Sequence, residues 1–292
     1  MVMPRVTVVG SMNMDLVVST DVIPQQGETV LGNHFATYPG GKGANQAVAA
    51  ARLGADVHMI GAVGNDAFGK ELIEGLKKEN IRTSGVTVFS NKATGTATIL
   101  LCENDNRIIV APGANAALTT AHINEQAEQL QKSDIILMQL EIPLETVSYT
   151  ASLAKKWNIP VLLNPAPFQW IPDELLHNLT FITPNEKEWS SMHTKRDIEA
   201  FKKKFIVTEG ARGVRYFPRG KEIHIPGYSV SVKDTTGAGD TFNGALAVGI
   251  ASGRTIDDSL NMANAAAALS VTKEGAQTGM PTMAELKSFM EN

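Results

Sequence analysis

One glycine-containing stretch near the carboxyl end combines groups that bind an anion with a group that accepts a proton. It reads Asp234-Thr-Thr-Gly-Ala-Gly-Asp-Thr-Phe-Asn-Gly244. Gly237 and Gly239 allow a tight turn with bare backbone amides, and the apolar run from Ala245 to Ala251 predicts a helix whose N-terminus attracts anions. Asp240 lies in the same turn, where a carboxylate can act as a base beside a bound phosphate. A plain helix cap is the alternative interpretation.

Two further glycine-rich turns are candidates for ligand loops. Pro39-Gly-Gly-Lys-Gly-Ala-Asn45 opens a helix predicted from about Gln46 to Leu53, and its pattern fits a structural turn as well as a ligand loop. Gly64-Asn-Asp-Ala-Phe-Gly-Lys-Glu71 has the GxxxxGK spacing of a P-loop. A P-loop requires Ser or Thr next, to hold Mg²⁺, and Glu71 would repel phosphate there. We therefore interpret that segment as an ordinary turn before an amphipathic helix.

Polar side chains follow several strands of the predicted sheet. In an open α/β sheet, ligands bind at the carboxyl ends of the strands. Strand ends are polar in any protein, but together with two glycine loops this set predicts a site along one rim: Asn13, Asp15, Glu141, Asn185, Glu188 and Thr208.

The elements that must position these groups indicate an α/β fold. β-branched runs such as Val6-Thr-Val-Val-Gly10 and Val57 to Val63 predict buried parallel strands. Regular alternation of strands and helices after residue 134 predicts a doubly wound, mostly parallel central sheet flanked by helices. Short strands without helices between them predict a small antiparallel β flap, or lid, formed by residues of roughly 15–39 and 86–111, with strands at Thr29-Val-Leu31 and Val86 to Phe89 among them. We expect residues 1–292 to form a single domain.

Composition excludes several classes of protein. The 292 residues are 43% hydrophobic and 19% charged with a net charge of -4, so we expect no nucleic-acid or membrane surface. A single cysteine, Cys102, excludes an intrachain disulfide and fits a cytoplasmic protein. The six histidines show no metal-ligand spacing, which argues against a zinc site.

The two glycine motifs carry a resemblance to a known family. Gly40-Gly-Lys-Gly-Ala-Asn-Gln-Ala-Val-Ala49 and Asp234 to Ala245 resemble the two signature motifs of the ribokinase-type sugar kinases, and the similarity extends over essentially the whole chain. Shorter matches occur in the same order: Gly10 to Asp15, Gly113 to Ala117, Met138 to Glu141, Asn164 to Pro167 and Thr183 to Glu186.

The resemblance implies ATP-dependent phosphorylation of D-ribose at O5. It assigns Asp240 as the catalytic base and the amides of Gly237, Ala238 and Gly239 as an anion hole. The positions matching the sugar contacts are Asn13, Met14, Asp15, Gly41, Lys42, Gly43, Asn45, Glu141 and Asp240. Those matching the nucleotide site are Asn185, Thr208, Glu209, Gly210, Ala211, Arg212, Gly213, Gly239 and Asn264.

The resemblance also implies metal ions and a partner subunit. Asn185 and Glu188 match residues that place Mg²⁺, mainly through water. A monovalent cation, usually K⁺, is implied beneath the anion hole by Asp234, Thr236, Ser270, Lys273, Gly275 and Gly279. Family members of this kind are commonly homodimers joined through the flap. Only ribose and ATP are implied as small-molecule partners.

Two alternatives remain open from the sequence. Within the family, a kinase for deoxyribose or another pentose differs by a 2-hydroxyl contact that no motif reveals. From another class, the chain is a non-catalytic sugar-binding protein on the same fold, although Asp240 and the glycines argue against this. One departure from the family is the short segment between Asn185 and Thr208, where 22 residues leave room for about one and a half short helices, predicted from Lys187 to Met192 and from Arg196 to Lys203.

Overall fold

The computed structural model describes residues 3–102, 105–193 and 199–291. Its strands are β1 (Arg5–Val9), β2 (Asn13–Ser19), β3 (His34–Gly40), β4 (Asp56–Gly64), β5 (Arg82–Phe89), β6 (Gly95–Cys102), β7 (Asp105–Ala111), β8 (Ile135–Met138), β9 (Val161–Leu163), β10 (Phe181–Ile182), β11 (Ile206–Thr208), β12 (Gly213–Tyr216) and β13 (Ile223–Pro226).

Most of the helices lie in the connections between strands, and the last ones follow β13. They are α1 (Lys42–Arg52), α2 (Ala67–Lys78), α3 (Thr120–Glu125), α4 (Ala127–Gln131), α5 (Leu144–Lys156), α6 (Asp173–Asn178), α7 (Glu186–His193), α8 (Ala238–Ala251), α9 (Ile256–Ser270), α10 (Ala276–Gly279) and α11 (Met283–Glu291). Within the described ranges, no helix is both long and apolar enough to cross a membrane.

The central sheet has six parallel strands in the order β10-β9-β8-β1-β4-β5. Successive side chains of a strand point to opposite faces. Val8 accordingly belongs to the apolar core on one face and Val9 to the core on the other. Helices α1, α8 and α9 supply the first core, and α5 supplies part of the second. The predicted doubly wound α/β fold is confirmed.

The lid, formed by β2, β3, β6 and β7, is a separate four-stranded sheet in the order β3-β2-β6-β7. Its outer pairs are antiparallel, whereas β2 and β6 are parallel. Two predictions about it are wrong. Val86 to Phe89 belongs to β5 and pairs with β4 in the central sheet, because α2 provides the crossover that a parallel pair needs. Thr29 to Leu31 forms no strand.

A third sheet, of order β11-β12-β13, is antiparallel and extends the molecule beyond β10. Two isolated parallel bridges, Ile182 to Phe205 and Asn185 to Thr208, join it to the central sheet. In the short segment between them, α7 confirms the helix predicted from Lys187 to Met192, and the chain then continues as a 3₁₀ helix, Glu199–Lys204. The helix predicted from Arg196 to Lys203 begins outside the described residues.

The GxxxxGK segment is the N-terminal cap of α2. Asp66 Oδ1 accepts hydrogen bonds from the Gly69 amide at 2.8 Å and the Thr94 hydroxyl at 2.6 Å, and Oδ2 accepts from the Thr94 amide at 2.8 Å. Burial by itself would raise the pKa of Asp66, but these hydrogen bonds hold it below its usual value. The carboxylate therefore occupies the place where a P-loop would hold phosphate.

We predict that Asp66→Ala lowers the free energy of unfolding by about 1–2 kcal/mol, since it removes a helix cap and leaves the Thr94 amide unpaired. Urea denaturation at pH 7 measures the change. Lys70→Ala, at an exposed position of the same motif, is the matched control and should alter neither stability nor activity. Loss of activity in Lys70→Ala with a stable Asp66→Ala would restore the P-loop interpretation.

Candidate active site

The site lies where β1 and β8 end and α1 and α8 begin. The Gly41 backbone has a φ of +87°, and a Cβ there would lie 2.6 Å from the Asn13 amide nitrogen. Only glycine fits this close approach. Helix α1 consequently begins at Lys42, earlier than the predicted Gln46. Its first turn packs against the chain leaving β1, with the Ala44 amide donating to the Ser11 carbonyl oxygen at 2.9 Å.

Glu141 is fixed by groups from two neighbouring segments. Its Oε2 atom accepts from the Ser11 hydroxyl at 2.5 Å and from the Lys42 backbone amide at 3.1 Å. The Ser11 oxygen in turn accepts from the Gly43 amide at 3.2 Å. Ser11 was not assigned a role from the sequence, although it lies in the Gly10 to Asp15 match, and it locks the orientation of this carboxylate.

Four carboxylates interact electrostatically with the single ammonium group of Lys42. Burial, together with the charges of Glu141 and Asp240 and against the opposing charge of Lys42, raises the pKa of Asp15 to about 7. Burial alone would lower the pKa of Lys42, yet the negative charges of Asp240, Glu141, Glu188 and Asp15 together raise it above its usual value. Ligand hydroxyls entering here meet both strong acceptors and a charged donor.

Asn13 is oriented by Asn115, which the sequence indicated only as part of the Gly113 to Ala117 match. The Asn115 amide donates to Asn13 Oδ1 at 2.7 Å, and the Asn115 Oδ1 atom accepts from the Met12 amide at 2.9 Å. Since the Asn13 oxygen is occupied, its amide nitrogen remains as the donor for a ligand. Met14 was predicted to contact sugar, but the whole residue has no solvent exposure and belongs to the apolar core.

Asp240 lies inside the first turn of α8, because that helix begins at Ala238 rather than at the predicted Ala245. Gly237 caps it in the left-handed region with a φ of +78°. Among the described residues, no group accepts a hydrogen bond from the Gly239 or Asp240 amide, and a Cβ at Gly239 would meet open space. Free amides at a helix N-terminus facing open space fit an anion.

The carboxylate of Asp240 accepts two amide hydrogen bonds from α1. Asn45 Nδ2 donates to Oδ2 and Gln46 Nε2 donates to Oδ1, each at 3.0 Å. Both donors come from the first glycine motif, 195 and 194 residues away in sequence. The two signature motifs therefore meet at one carboxylate.

The predicted nucleotide residues lie on the side of the third sheet. Asn185 and Glu188 cap α7 reciprocally, with amide-to-side-chain distances of 2.8 and 2.9 Å. Burial raises the pKa of Glu188, and its charge interacts with Lys42, which links this cap to the carboxylate cluster.

The loop after β11 follows, with Gly210 at φ +59° and Gly213 at φ +103°. Glu209 is paired with Arg215 at 2.8 Å and lies 3.6 Å from His224. Thr208 is the last residue of β11, and Ala211 lies in the turn that follows it. Arg212 pairs with Glu186, and the Asn264 amide donates to the carbonyl oxygens of Ile225 and Pro226, each at 3.3 Å. The Asn264 amide therefore braces the third sheet, which leaves its side-chain oxygen for a ligand.

The predicted cation residues gather beneath the N-terminus of α8. Asp234 accepts from the Thr236 amide at 2.9 Å and from the Gly275 amide at 2.8 Å. A Cβ at Gly279 would lie 2.6 Å from the Ser270 carbonyl oxygen and 3.8 Å from that of Lys273, whereas the Lys273 ammonium points to Glu285 at 2.8 Å. Over the described ranges no cluster of His, Cys, Asp and Glu could hold a metal. Carbonyl oxygens beside one carboxylate suit a hard cation of low charge.

We predict that Asp15→Asn changes how stability depends on pH. The folded state holds the Asp15 proton more tightly than the unfolded state, so ionisation costs wild-type stability as pH rises from about 4 to about 7. The asparagine cannot ionise. The variant should therefore gain on the wild type by on the order of 1 kcal/mol or more between pH 5 and pH 8. Urea denaturation at both pH values tests this, with exposed Asp21→Asn as control, and a constant difference would contradict the prediction.

Comparison with known proteins places the chain in a family. Residues 3–283 match the model of the pfkB family carbohydrate kinases. The chain is 46% identical over 292 residues to the ribokinase of Bacillus subtilis, covering 99% of this chain and 100% of that protein. It is 43% identical over 294 residues to the ribokinase of Lactococcus lactis, covering 99% and 98%.

A solved structure agrees with these relatives. The structure of Arabidopsis thaliana ribokinase complexed with ribose and ATP matches with a TM-score of 0.93 and 32% identity, over 100% of both chains. The agreement includes the central sheet and the lid that position the site described above. The chain belongs to the pfkB family of carbohydrate kinases.

Proposed function

We propose that the protein phosphorylates D-ribose at O5, with ATP as the phosphoryl donor. The observation that carries this proposal is the position of Asp240. Its carboxylate lies at the free amides of α8 on one side and at the Lys42 to Asn45 segment on the other. The relatives named ribokinase support ribose as the sugar, and the Arabidopsis complex supports ATP.

The sugar side of the site supplies complementary groups for a polyol. Acceptors are the carboxylates of Asp15 and Glu141, and donors are the amide of Asn13 and the ammonium of Lys42. Asn45, through its bond to Asp240, links sugar recognition to the base. Gly41 and Gly43 bring the start of α1 against the chain leaving β1, where a Cβ would lie 2.6 Å from the Asn13 amide nitrogen and 2.5 Å from that of Ser11, respectively. The buried Met14 lies in the strand that carries Asn13 and Asp15. Such an arrangement fixes which hydroxyl reaches Asp240.

Asp240 can accept the proton that is released when the phosphoryl group is transferred to O5. The O5 oxygen forms a bond to the terminal phosphorus as the bond from that phosphorus to the bridging oxygen breaks, and ADP leaves. The O5 proton passes to Asp240. The amides of Gly237, Gly239 and Asp240 lie at the helix end, where they stabilise negative charge on the transferring group. The Ala238 amide, which the family resemblance includes in the anion hole, donates to the Thr235 carbonyl oxygen at 3.2 Å. No other side-chain carboxylate occurs between Gly237 and Ala251 in α8.

We assign the nucleotide to a site formed by the loop after β11 and the residues beside it. The residues of this site are Asn185, Thr208, Glu209, Gly210, Ala211, Arg212, Gly213 and Asn264. Mg²⁺ supplies charge neutralisation for the phosphates when bound. Glu188 and Asn185 fit a water-mediated role in holding it, because both side chains already bond to backbone amides.

We predict that Asp240→Asn cuts turnover by a factor on the order of 10² or more and leaves ribose affinity nearly unchanged. ADP release, measured over ribose, deoxyribose and other pentoses, gives turnover and specificity together. Calorimetric titration with ribose gives affinity. Exposed Asp21→Asn is the matched control and should retain full turnover.

Two outcomes of this assay would change the proposal. Undiminished turnover of Asp240→Asn would refute the base. Preference for deoxyribose would move the protein to the sister activity, which a 34% identical deoxyribokinase makes a concrete alternative.

A K⁺ ion beneath the anion hole is part of the proposal. Asp234, Thr236, Ser270, Lys273, Gly275 and Gly279 form its surroundings through carbonyl oxygens and one carboxylate. Its charge would steady the turn at Gly237, where a Cβ would lie 2.9 Å from Ala276 Cα. The ADP assay run in Na⁺ and in K⁺ salts tests this at equal ionic strength, and equal rates would count against it.

We also propose a homodimer joined through the lids, in the cytoplasm. The edge strand β7 exposes three successive apolar side chains, Ile108 at 53%, Ile109 at 67% and Val110 at 47%. Because neighbouring side chains lie on opposite faces of a strand, both faces of this edge are apolar and unprotected. An intact dimer would cover them, and a single cysteine suits a reducing compartment.

We predict that Ile108→Lys combined with Ile109→Lys converts the dimer to monomer, since two charges would be buried in the contact. Sedimentation velocity measures the mass in solution. Lys77→Glu combined with Lys78→Glu, on exposed α2 positions, is the control for charge change alone. A wild-type chain that sediments as a monomer would contradict the dimer.

A further inference from the structure

We propose that Gln46 is a positioning residue for Asp240. A chain of buried hydrogen bonds that begins at a backbone carbonyl determines which end of the Gln46 side-chain amide faces Asp240. The inference rests on the base role proposed above for Asp240. Gln46 has no solvent exposure, Asp240 is 7% exposed and Asn164 is 8% exposed. A buried amide that faces a carboxylate presents either its nitrogen or its oxygen. The nitrogen donates a hydrogen bond to the carboxylate, whereas the oxygen would repel it.

The backbone settles which end of Gln46 faces Asp240. The carbonyl oxygen of Thr183 can only accept, and Asn164 lies 3.1 Å from it through Nδ2. The other end of Asn164, Oδ1, therefore faces Gln46. That oxygen requires a donor, so Gln46 presents Nε2, at 3.1 Å from Asn164 and 3.0 Å from Asp240. Both protons of this nitrogen are used.

The oxygen end of the Gln46 side chain accepts a hydrogen bond that fits the same orientation of the amide. Gln139 Nε2 donates to Gln46 Oε1 at 2.5 Å. Among the described residues, the buried Gln139 Oε1 atom has no partner, which carries a free-energy cost. Gln139 nevertheless keeps its nitrogen on Gln46 in this arrangement, as the polarity imposed through Asn164 requires.

This chain of amides fixes the orientation of the Asp240 carboxylate. Gln46 presents an N–H group to Oδ1 and Asn45 presents one to Oδ2, so each oxygen accepts a hydrogen bond from α1. The charged groups that interact with Asp240 are Lys42 on α1 and Asp15 on β2. Glu141 acts on both of these groups, and Glu188 acts on Lys42. Gln46 and Asn45 hold one side of the carboxylate and leave the remaining lone pairs toward the sugar.

Two substitutions at Gln46 test the proposal through the pH dependence of kcat and KM for ribose. In Gln46→Glu a second carboxylate meets Asp240 and the two must share a proton, so the acidic limb of kcat should move up by about one pH unit or more. Gln46→Met keeps the volume and removes the donor. Its kcat should fall by a factor on the order of 10 while KM for ribose changes less than about twofold.

The controls separate this proposal from a general loss of structure and from failure of the base. Gln129→Glu adds the same charge on α4, outside the site, and should leave the limb in place. If Gln46→Glu folds and the acidic limb of its kcat against pH is not shifted, the proposal is overturned. If that variant does not fold, an unchanged kcat in Gln46→Met overturns the proposal. Wild-type turnover in Asp240→Asn would instead remove the base role itself.

Discussion

The bond between the Asp240 carboxylate and the amides of α1 is the interaction on which the rest of the site depends. It exists because α1 and α8 approach unusually closely. A Cβ at Gly244 would lie 2.6 Å from Ala49 Cβ and 2.8 Å from the Gln46 carbonyl oxygen, so these helices pack through small residues. That packing brings the anion-binding end of one helix to the sugar-binding end of the other. A larger residue at position 244 would separate them.

Electrostatic frustration follows from the same closeness. Asp15, Glu141 and Asp240 share one ammonium group, and burial strengthens their mutual repulsion. The fold tolerates this through specific hydrogen bonds, such as those to Glu141 from Ser11 and Lys42. Such a cluster suits a polyol, since each ligand hydroxyl can donate to a carboxylate and accept from the ammonium group.

Much of the architecture could be predicted from local patterns. The predicted strands Val6 to Gly10 and Val57 to Val63 correspond to β1 and β4, because buried β-branched runs between turns have few alternatives. The sequence does not indicate that β5 belongs to the central sheet, because its first residues, Arg82 to Ser84, are polar and do not form an apolar strand pattern directly after α2. The start of α8 was placed late because glycine disfavours helix, yet at a helix N-terminus its free amides and left-handed cap are useful.

The role of Gln46 could not be read from the chain. Nothing in a sequence reveals that a side chain meets a carboxylate 194 residues away, or that Thr183 fixes its polarity. The account as a whole is tested most directly by a crystal structure with ribose and a non-hydrolysable ATP analogue. It predicts the ribose O5 atom within about 3.2 Å of an Asp240 oxygen, with the terminal phosphate on the Gly239 and Asp240 amides. An O5 atom turned away from Asp240 would contradict it.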